Sequence, residues 1–341
     1  MRAVVFESPG QLSVKDLPDP SPGPKDILVR VAAVGMCGTD IHVFEGDYLG
    51  GQFPMIPGHE ATGTIEAIGE AVTGFSVGDR VAIDPTMTCG ECEYCLNGRN
   101  NLCRNWDSMG VISSHGASAE LILAPAKNVY ALAPDADLFD ATMIEPISCA
   151  IRALDILPRR IGEHYLIYGA GTMGLLLAQL APRAGAASVS VVDPNESRLQ
   201  LAREVGVDIV ATGADHLDRE NWDVVIDCTG VIAAMEDGMP RVKPGGYFQQ
   251  FGVAAVDAKA RYSPLSITKD EINIVGSMAA RHTFGRAVEM FTAGAINVKP
   301  MFSHAFTLDD YDTAMETFRK GTGRKLQIRP GAAESQTLQS T

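Results

Sequence analysis

Four of the seven cysteines in this 341-residue chain fall within fifteen residues, in CGECEYCLNGRNNLC at 89–103. Cys89, Cys92, Cys95 and Cys103 follow the spacing C-x2-C-x2-C-x7-C, which suits four thiolates around one tetrahedral zinc, with Gly90 and Gly98 easing the turns between them. A zinc with four protein ligands keeps no open position, so this group reads as a clamp on a lobe and not as a reaction centre. Disulfide pairing or an iron–sulfur cluster would use the same four residues. A second, looser set is Cys37 in VGMCGTDIH (34–42) with His59 and Glu60 in IPGHEATG (56–63). One soft and two harder donors from separate turns are consistent with a three-ligand zinc whose fourth position takes water or substrate. A buried cysteine and an exposed His-Glu pair with no metal is the plainer alternative.

A third group is HYLIYGAGTMG (164–174), where Gly169, Gly171, Thr172, Met173 and Gly174 form G-x-G-x-x-G directly after an apolar strand and at the start of an apolar helix. The first glycine permits the turn, the second lets backbone approach a pyrophosphate, and the third lets helix and strand pack closely. Nineteen residues past Gly174 the next strand ends at Asp193, placed to accept hydrogen bonds from an adenosine ribose. A carboxylate there repels a 2′-phosphate, which favours NAD over NADP. Arg198 either flanks the adenine or lies on a solvated helix face.

These groups need elements to position them. Short Val/Ile runs punctuated by Gly, Pro and Asp fill the first 150 residues and predict a mostly β unit. From 151 to 294 strand-like runs alternate with helix-like segments, the rhythm of a parallel α/β sheet. In NESRLQLAREVG, Asn195 is a predicted N-cap and Gly206 a stop, with Leu199, Leu201, Ala202 and Val205 on the apolar face. Pro182 is expected to end the helix after the glycine turn near Leu180. The segment SHAFTLDDYDTAMETF reads as a helix, KLQIRP as a last strand that pairs within the β unit, and residues 331–341 as a frayed tail. Residues 295–341 are thus assigned with 1–150.

Length allows two cores without covalent staples. A net charge of −14 without a basic run argues against nucleic acid and anionic membranes, leaving a small molecule as the easier partner. The start, MRAVVFESPG, reads as a strand and not as a signal peptide, and no apolar stretch is long enough to span a bilayer. The expected location is the cytosol, where clustered thiols are metal ligands or redox groups more often than disulfides.

GHEATGTIEAIGEAVTGFSVGDRV resembles the zinc alcohol dehydrogenase signature of the medium-chain dehydrogenase/reductase superfamily. VGMCGTDIH, the cysteine cluster, EPISCA (145–150) and YGAGTMG stand in that family's order, so the resemblance covers nearly the whole chain. It is similar above all to the polyol dehydrogenases (sorbitol, arabinitol and related) and to L-threonine dehydrogenase, EPISCA favouring the polyol branch. The resemblance implies a GroES-like catalytic domain (1–150 and 295–341), a Rossmann NAD domain (151–294), a substrate cleft between them and a dimer or tetramer. It implies that Cys37, His59 and Glu60 hold a catalytic zinc and the cysteine cluster a structural one. Glu145 then serves as an alternate ligand or holds the zinc's water, unless it only caps a helix starting at Pro146.

Thr39 and His42, in C-G-T-D-x-H, match positions that relay the alcohol's proton outward. A hydroxyl and an imidazole are apt types for that task, although a turn hydroxyl and a half-buried surface histidine would look the same. Cys149 and Cys228 are expected to be packing residues. His115 is expected to be a loop residue. The expected activity is zinc- and NAD-dependent oxidation of a secondary alcohol of a polyol to the ketose. L-Threonine, 2,3-butanediol and phosphorylated polyols are alternative substrates, and a non-catalytic nucleotide-binding protein is the alternative of a different class.

Overall fold

The computed structural model describes residues 1–47, 50–113 and 115–338. The chain forms two compact units, Met1–Glu145 with Ala280–Thr341, and Pro146–Ala279. These limits differ from 150 and 295 because helix Ile144–Ile156 runs through the first limit, while Phe284, past the second, packs on Tyr130 with ring centroids 4.8 Å apart.

In the first unit, strand Asp26–Gly35 is the hub of an eight-stranded sheet. It pairs antiparallel with Glu60–Ile68, Leu121–Pro125 and Lys325–Ile328. Contact on several edges and burial along most of its length explain why DILVRVAAVG is apolar almost throughout instead of alternating. Phe6 fills the core with its ring centroid 5.0 Å from Phe44 and 5.9 Å from Tyr311, locking the N-terminal strand to the C-terminal helix Tyr311–Lys320.

Two expectations for the C-terminal part are corrected. SHAFTLDDYDTAMETF is not all helix: strand Phe302–Phe306 comes first and runs parallel to Lys325–Ile328, whose edge takes up its backbone hydrogen bonds. The tail is not wholly frayed either, since Gln336 and Thr337 pair with Ala305 and His304 on the open edge of that strand. Residues 339–341 lie outside the described residues.

The second unit is a six-stranded parallel sheet in the order Ile209–Ala211, Ser188–Val192, His164–Tyr168, Trp222–Asp227, Val242–Gln250, Asn273–Gly276. In this unit's own strand order that is 3-2-1-4-5-6. A parallel sheet in that order, reversing after its first three strands, is the doubly wound arrangement. Asn195 caps helix Glu196–Glu204 through the amides of Ser197 and Arg198, and Gly206 follows at φ +91. Helix Thr172–Leu180 gives way at Pro182 to a short 3-10 turn, as proline requires. Among the described residues no helix is long and apolar enough to cross a membrane.

The glycine turn opens at the point where strand order reverses. Gly169 takes φ +99, and a Cβ on Gly174 would run into the carbonyl oxygen of Gly169. Gly174→Ala is therefore expected to lower stability by about 1–3 kcal/mol, the usual cost of overpacking. Urea unfolding of the two proteins checks it; an unchanged midpoint would show that helix and turn are not in close contact.

Candidate active site

The four cysteines form a compact cage. Sγ of Cys103 is 3.4 Å from that of Cys89 and 3.9 Å from that of Cys92, and Cys89 is 3.9 Å from Cys95. All four sulfurs lie within 4.8 Å of one another. A single zinc 2.3 Å from four tetrahedral sulfurs would set them about 3.8 Å apart, so the cage has the size of one ion and is too small for a cluster of several irons. All seven cysteines are free thiols in this structure. The backbone amides of Cys95 and Arg104 pull the Cys92 thiol down to about 6, and those of Glu91 and Cys92 lower Cys89. Burial, with the neighbouring sulfurs, pushes Cys95 up to about 12, so this thiol keeps its proton unless a cation is present. Arg281 donates from Nε to the Gly98 carbonyl at 2.6 Å and fastens this lobe to the rest of its unit.

The second group gathers where three strands of the first unit meet. Cys37 follows strand Asp26–Gly35, and Glu60 opens the neighbouring strand directly opposite Gly35. Gly58, at φ +95, turns the chain so that His59 enters the same space. One donor atom from each of Cys37, His59 and Glu60 lies within 4.8 Å of the others, with His59 7% and Glu60 2% exposed. The reading of an exposed His-Glu pair is thus overturned. A soft sulfur, an imidazole and a carboxylate converging in a buried pocket form a donor set that fits zinc.

Two residues that sequence reasoning missed complete this site. Asp40 is 1% exposed and accepts the Cys37 amide at 2.8 Å, while its other oxygen lies 3.5 Å from His59 Nδ1. Burial disfavours a charged His59 ring, but Asp40 and Cys37 outweigh it and hold the histidine well above its usual value. Asp40 had a faint signal in C-x-x-D, a variant of the capping box at the start of helix Gly38–Glu45.

Lys325 had no signal at all, being 265 positions from its partner. Its ammonium is 4% exposed and donates to Glu60 Oε1 at 2.7 Å and to the Met36 carbonyl at 3.0 Å. Glu60 Oε2 lies 2.5 Å from the same nitrogen without hydrogen-bond geometry. Burial works to lower the lysine, yet Glu60, Cys37 and Glu145 raise it on balance, so it keeps its proton.

The remaining predicted residues fall as follows. Thr39 Oγ1 is 3.6 Å from Cys37 Sγ, beside the donor set. His42, in the last turn of the same helix, turns Nδ1 toward Asp47 at 3.1 Å. Glu145 is half-buried in the first turn of helix Ile144–Ile156, which begins before Pro146, so the reading of a helix with proline as its first residue does not hold. A 3-10 turn, Asp140–Met143, leads directly into it. His115 is exposed and bridges to Ile56. Cys149 and Cys228 join neither donor group.

In the second unit, Gly171 precedes helix Thr172–Leu180, with Thr172 and Met173 in its first turn. Asp193 is 4% exposed; its oxygens accept the Ala170 amide at 2.9 Å and the Asn195 amide at 2.8 Å. The carboxylate thereby shapes the turn. Arg198 lies 3.6 Å from it with its own side chain 44% exposed, which joins it to the strand end and away from a purely solvated face.

Removing one partner of a buried ion pair strands the other, at about 3–5 kcal/mol. Lys325→Met is expected to destabilise chelator-treated protein by that order, and zinc-loaded protein by less, since a cation would then neutralise Glu60. Urea unfolding with and without zinc checks this; equal losses in both states would mean that Glu60 does not face the ion.

Residues 23–135 match the model of the alcohol dehydrogenase GroES-like domain, and residues 172–293 that of the zinc-binding dehydrogenase domain. D-arabinitol dehydrogenase 1 of Uromyces fabae is 34% identical over 97% of both chains, and human sorbitol dehydrogenase is 31% identical over 96% of this chain and 95% of that one. A zinc-binding dehydrogenase of Sinorhizobium meliloti 1021, solved with NADP, superposes with a TM-score of 0.91 at 32% identity, covering 96% of this chain and 99% of the other. An alcohol dehydrogenase of E. coli CFT073 complexed with NADH gives 0.88 at 26% identity, over 96% and 99%. The strand-rich GroES-like unit, the doubly wound nucleotide unit, the two donor groups and these matches make one conclusion: the chain belongs to the zinc- and nicotinamide-dependent medium-chain dehydrogenase family, on its polyol dehydrogenase branch.

Proposed function

We propose that this enzyme oxidises a secondary alcohol of a free sugar alcohol to the ketose, with NAD as acceptor, Cys37, His59 and Glu60 holding the catalytic zinc, and the four-cysteine cage a structural one. The observation that carries the reading is the buried donor trio of sulfur, imidazole and carboxylate. When bound, zinc polarises the alcohol oxygen and NAD accepts the hydride. The chain's own residues do the rest. Asp40 faces His59 Nδ1 and leaves Nε2 as the ligating nitrogen, a common arrangement around zinc histidines. Thr39 Oγ1 takes the alcohol's proton and passes it to His42, which is half-exposed and can release it to water. Glu145 stands by as an alternate ligand, a role supported by its charge acting on Lys325.

The buried Asp193 carboxylate at the adenosine end supports NAD over NADP, because a 2′-phosphate would meet an anion there. Four thiols gathered at metal-ligand spacing support a reducing compartment such as the cytoplasm. A homo-oligomer is part of this reading, supported by an exposed edge strand, Asn273–Gly276.

The test is NADH formation by zinc-loaded protein with a panel of polyols, their phosphates, L-threonine and 2,3-butanediol, repeated with NADP. Strong turnover of a free polyol with NAD is expected. Threonine, a diol or a phosphate winning would overturn the substrate class, and NADP winning would overturn the role of Asp193. Cys37→Ser is expected to abolish turnover while leaving NAD binding and melting temperature nearly unchanged. Cys95→Ser is expected to lower the melting temperature first. Equal loss of stability in both, with activity tracking folded protein, would sink the division between the two zinc sites.

A further inference from the structure

Helix Gly38–Glu45 carries Thr39 near its start and His42 in its last turn, and how it ends bears on what His42 can do. Gly46 closes it in the left-handed conformation, φ 78 and ψ 16, with its amide bonded to the Val43 carbonyl at 3.0 Å. That reversal brings Asp47 back over the last turn. The Asp47 amide donates to the His42 carbonyl at 3.1 Å, and both carboxylate oxygens face His42 Nδ1, at 3.1 and 3.3 Å. One residue thus grips His42 by backbone and by ring. The other charged groups of this corner are engaged elsewhere: Arg319, from the helix packed against this one, pairs with Glu45 at 3.0 Å and stacks over Phe44.

We propose that Asp47 is a positioning residue for His42, fixing the tautomer that the proton relay needs; this rests on the relay role given to His42 above. A carboxylate offers acceptor lone pairs only, so the shared proton belongs to His42 Nδ1. The neutral ring then carries no proton on Nε2, which becomes the acceptor. During oxidation the alcohol O–H breaks, its proton passes through Thr39 Oγ1 to His42 Nε2, and a proton leaves the imidazolium for water. The electron pair of the broken C–H bond goes to NAD as hydride. Without Asp47 the ring is free to turn or to place its proton on Nε2, and an Nε2–H blocks the relay. The pair is 32% and 45% exposed, so the carboxylate also stands where the proton meets solvent.

The test uses zinc-loaded, full-length protein labelled with 15N-histidine, the His42 signals being assigned by their loss in His42→Gln. Wild-type protein at a pH where the ring is neutral is expected to show Nδ1 protonated and Nε2 bare. Asp47→Ala is expected to move the proton to Nε2, and Asp47→Glu to restore the wild-type pattern. Turnover of the best alcohol from the panel is expected to fall about tenfold in kcat for Asp47→Ala, with KM and melting temperature little changed, and to recover in part with Asp47→Glu. The same tautomer in wild type and Asp47→Ala would overturn the proposal whatever the rates do. A tautomer that switches while neither Asp47→Ala nor His42→Gln slows turnover would instead overturn the relay role of His42, and with it any catalytic consequence of Asp47.

Discussion

The whole first unit turns on one buried ion pair. Glu60 and Lys325 meet where water is excluded, and the space they occupy exists only because Gly35 has no side chain: a Cβ there would land on the Glu60 carboxylate and 3.0 Å from Lys325 Cε. A carboxylate buried there without a counter-charge would bear a desolvation cost on the order of several kcal/mol. The lysine offsets this, and it comes from the far end of the chain. That requirement explains why strand Lys325–Ile328 returns to pair with Asp26–Gly35, with Leu326 accepting the Met36 amide at 2.9 Å. A chain that crosses into a second unit and comes back can build a site from both of its ends.

Charge balance also separates the two thiolate groups. In the four-cysteine cage the neighbours that stabilise anionic sulfur are backbone amides, supplied by short turns, so the group is local and self-contained. Around Cys37 the neighbours are long-range: Asp40 behind the imidazole, Lys325 behind the carboxylate, Glu145 within electrostatic reach. A local cage serves to hold a lobe. A site with three donors and a charged surround drawn from distant segments has its ligands oriented by those outer partners.

Much was legible without coordinates because the signals are short-range. Four cysteines in fifteen residues can hardly avoid one another, and a glycine turn between an apolar strand and an apolar helix has few uses beyond a phosphate. The helix at Asn195, the break at Pro182 and the parallel strands follow from caps, ring geometry and periodicity, all properties of adjacent residues. The failures share one cause. By local pattern Phe302–Phe306 reads as part of a helix and the tail at Gln336 as frayed, because what makes them strands is the open edge of a sheet formed elsewhere in the chain.

By itself the sequence determined donor types, their local spacing, the nucleotide turn and the family to which they point. The tertiary structure alone decided that Cys37, His59 and Glu60 share one buried pocket, that Lys325 neutralises it, and that Asp47 folds back onto His42. Residue type and near spacing are written in the chain because covalent geometry limits what neighbours can do. Which charge sits behind a ligand depends instead on strands that meet only after folding, and a pairing across 265 positions leaves no trace in local pattern.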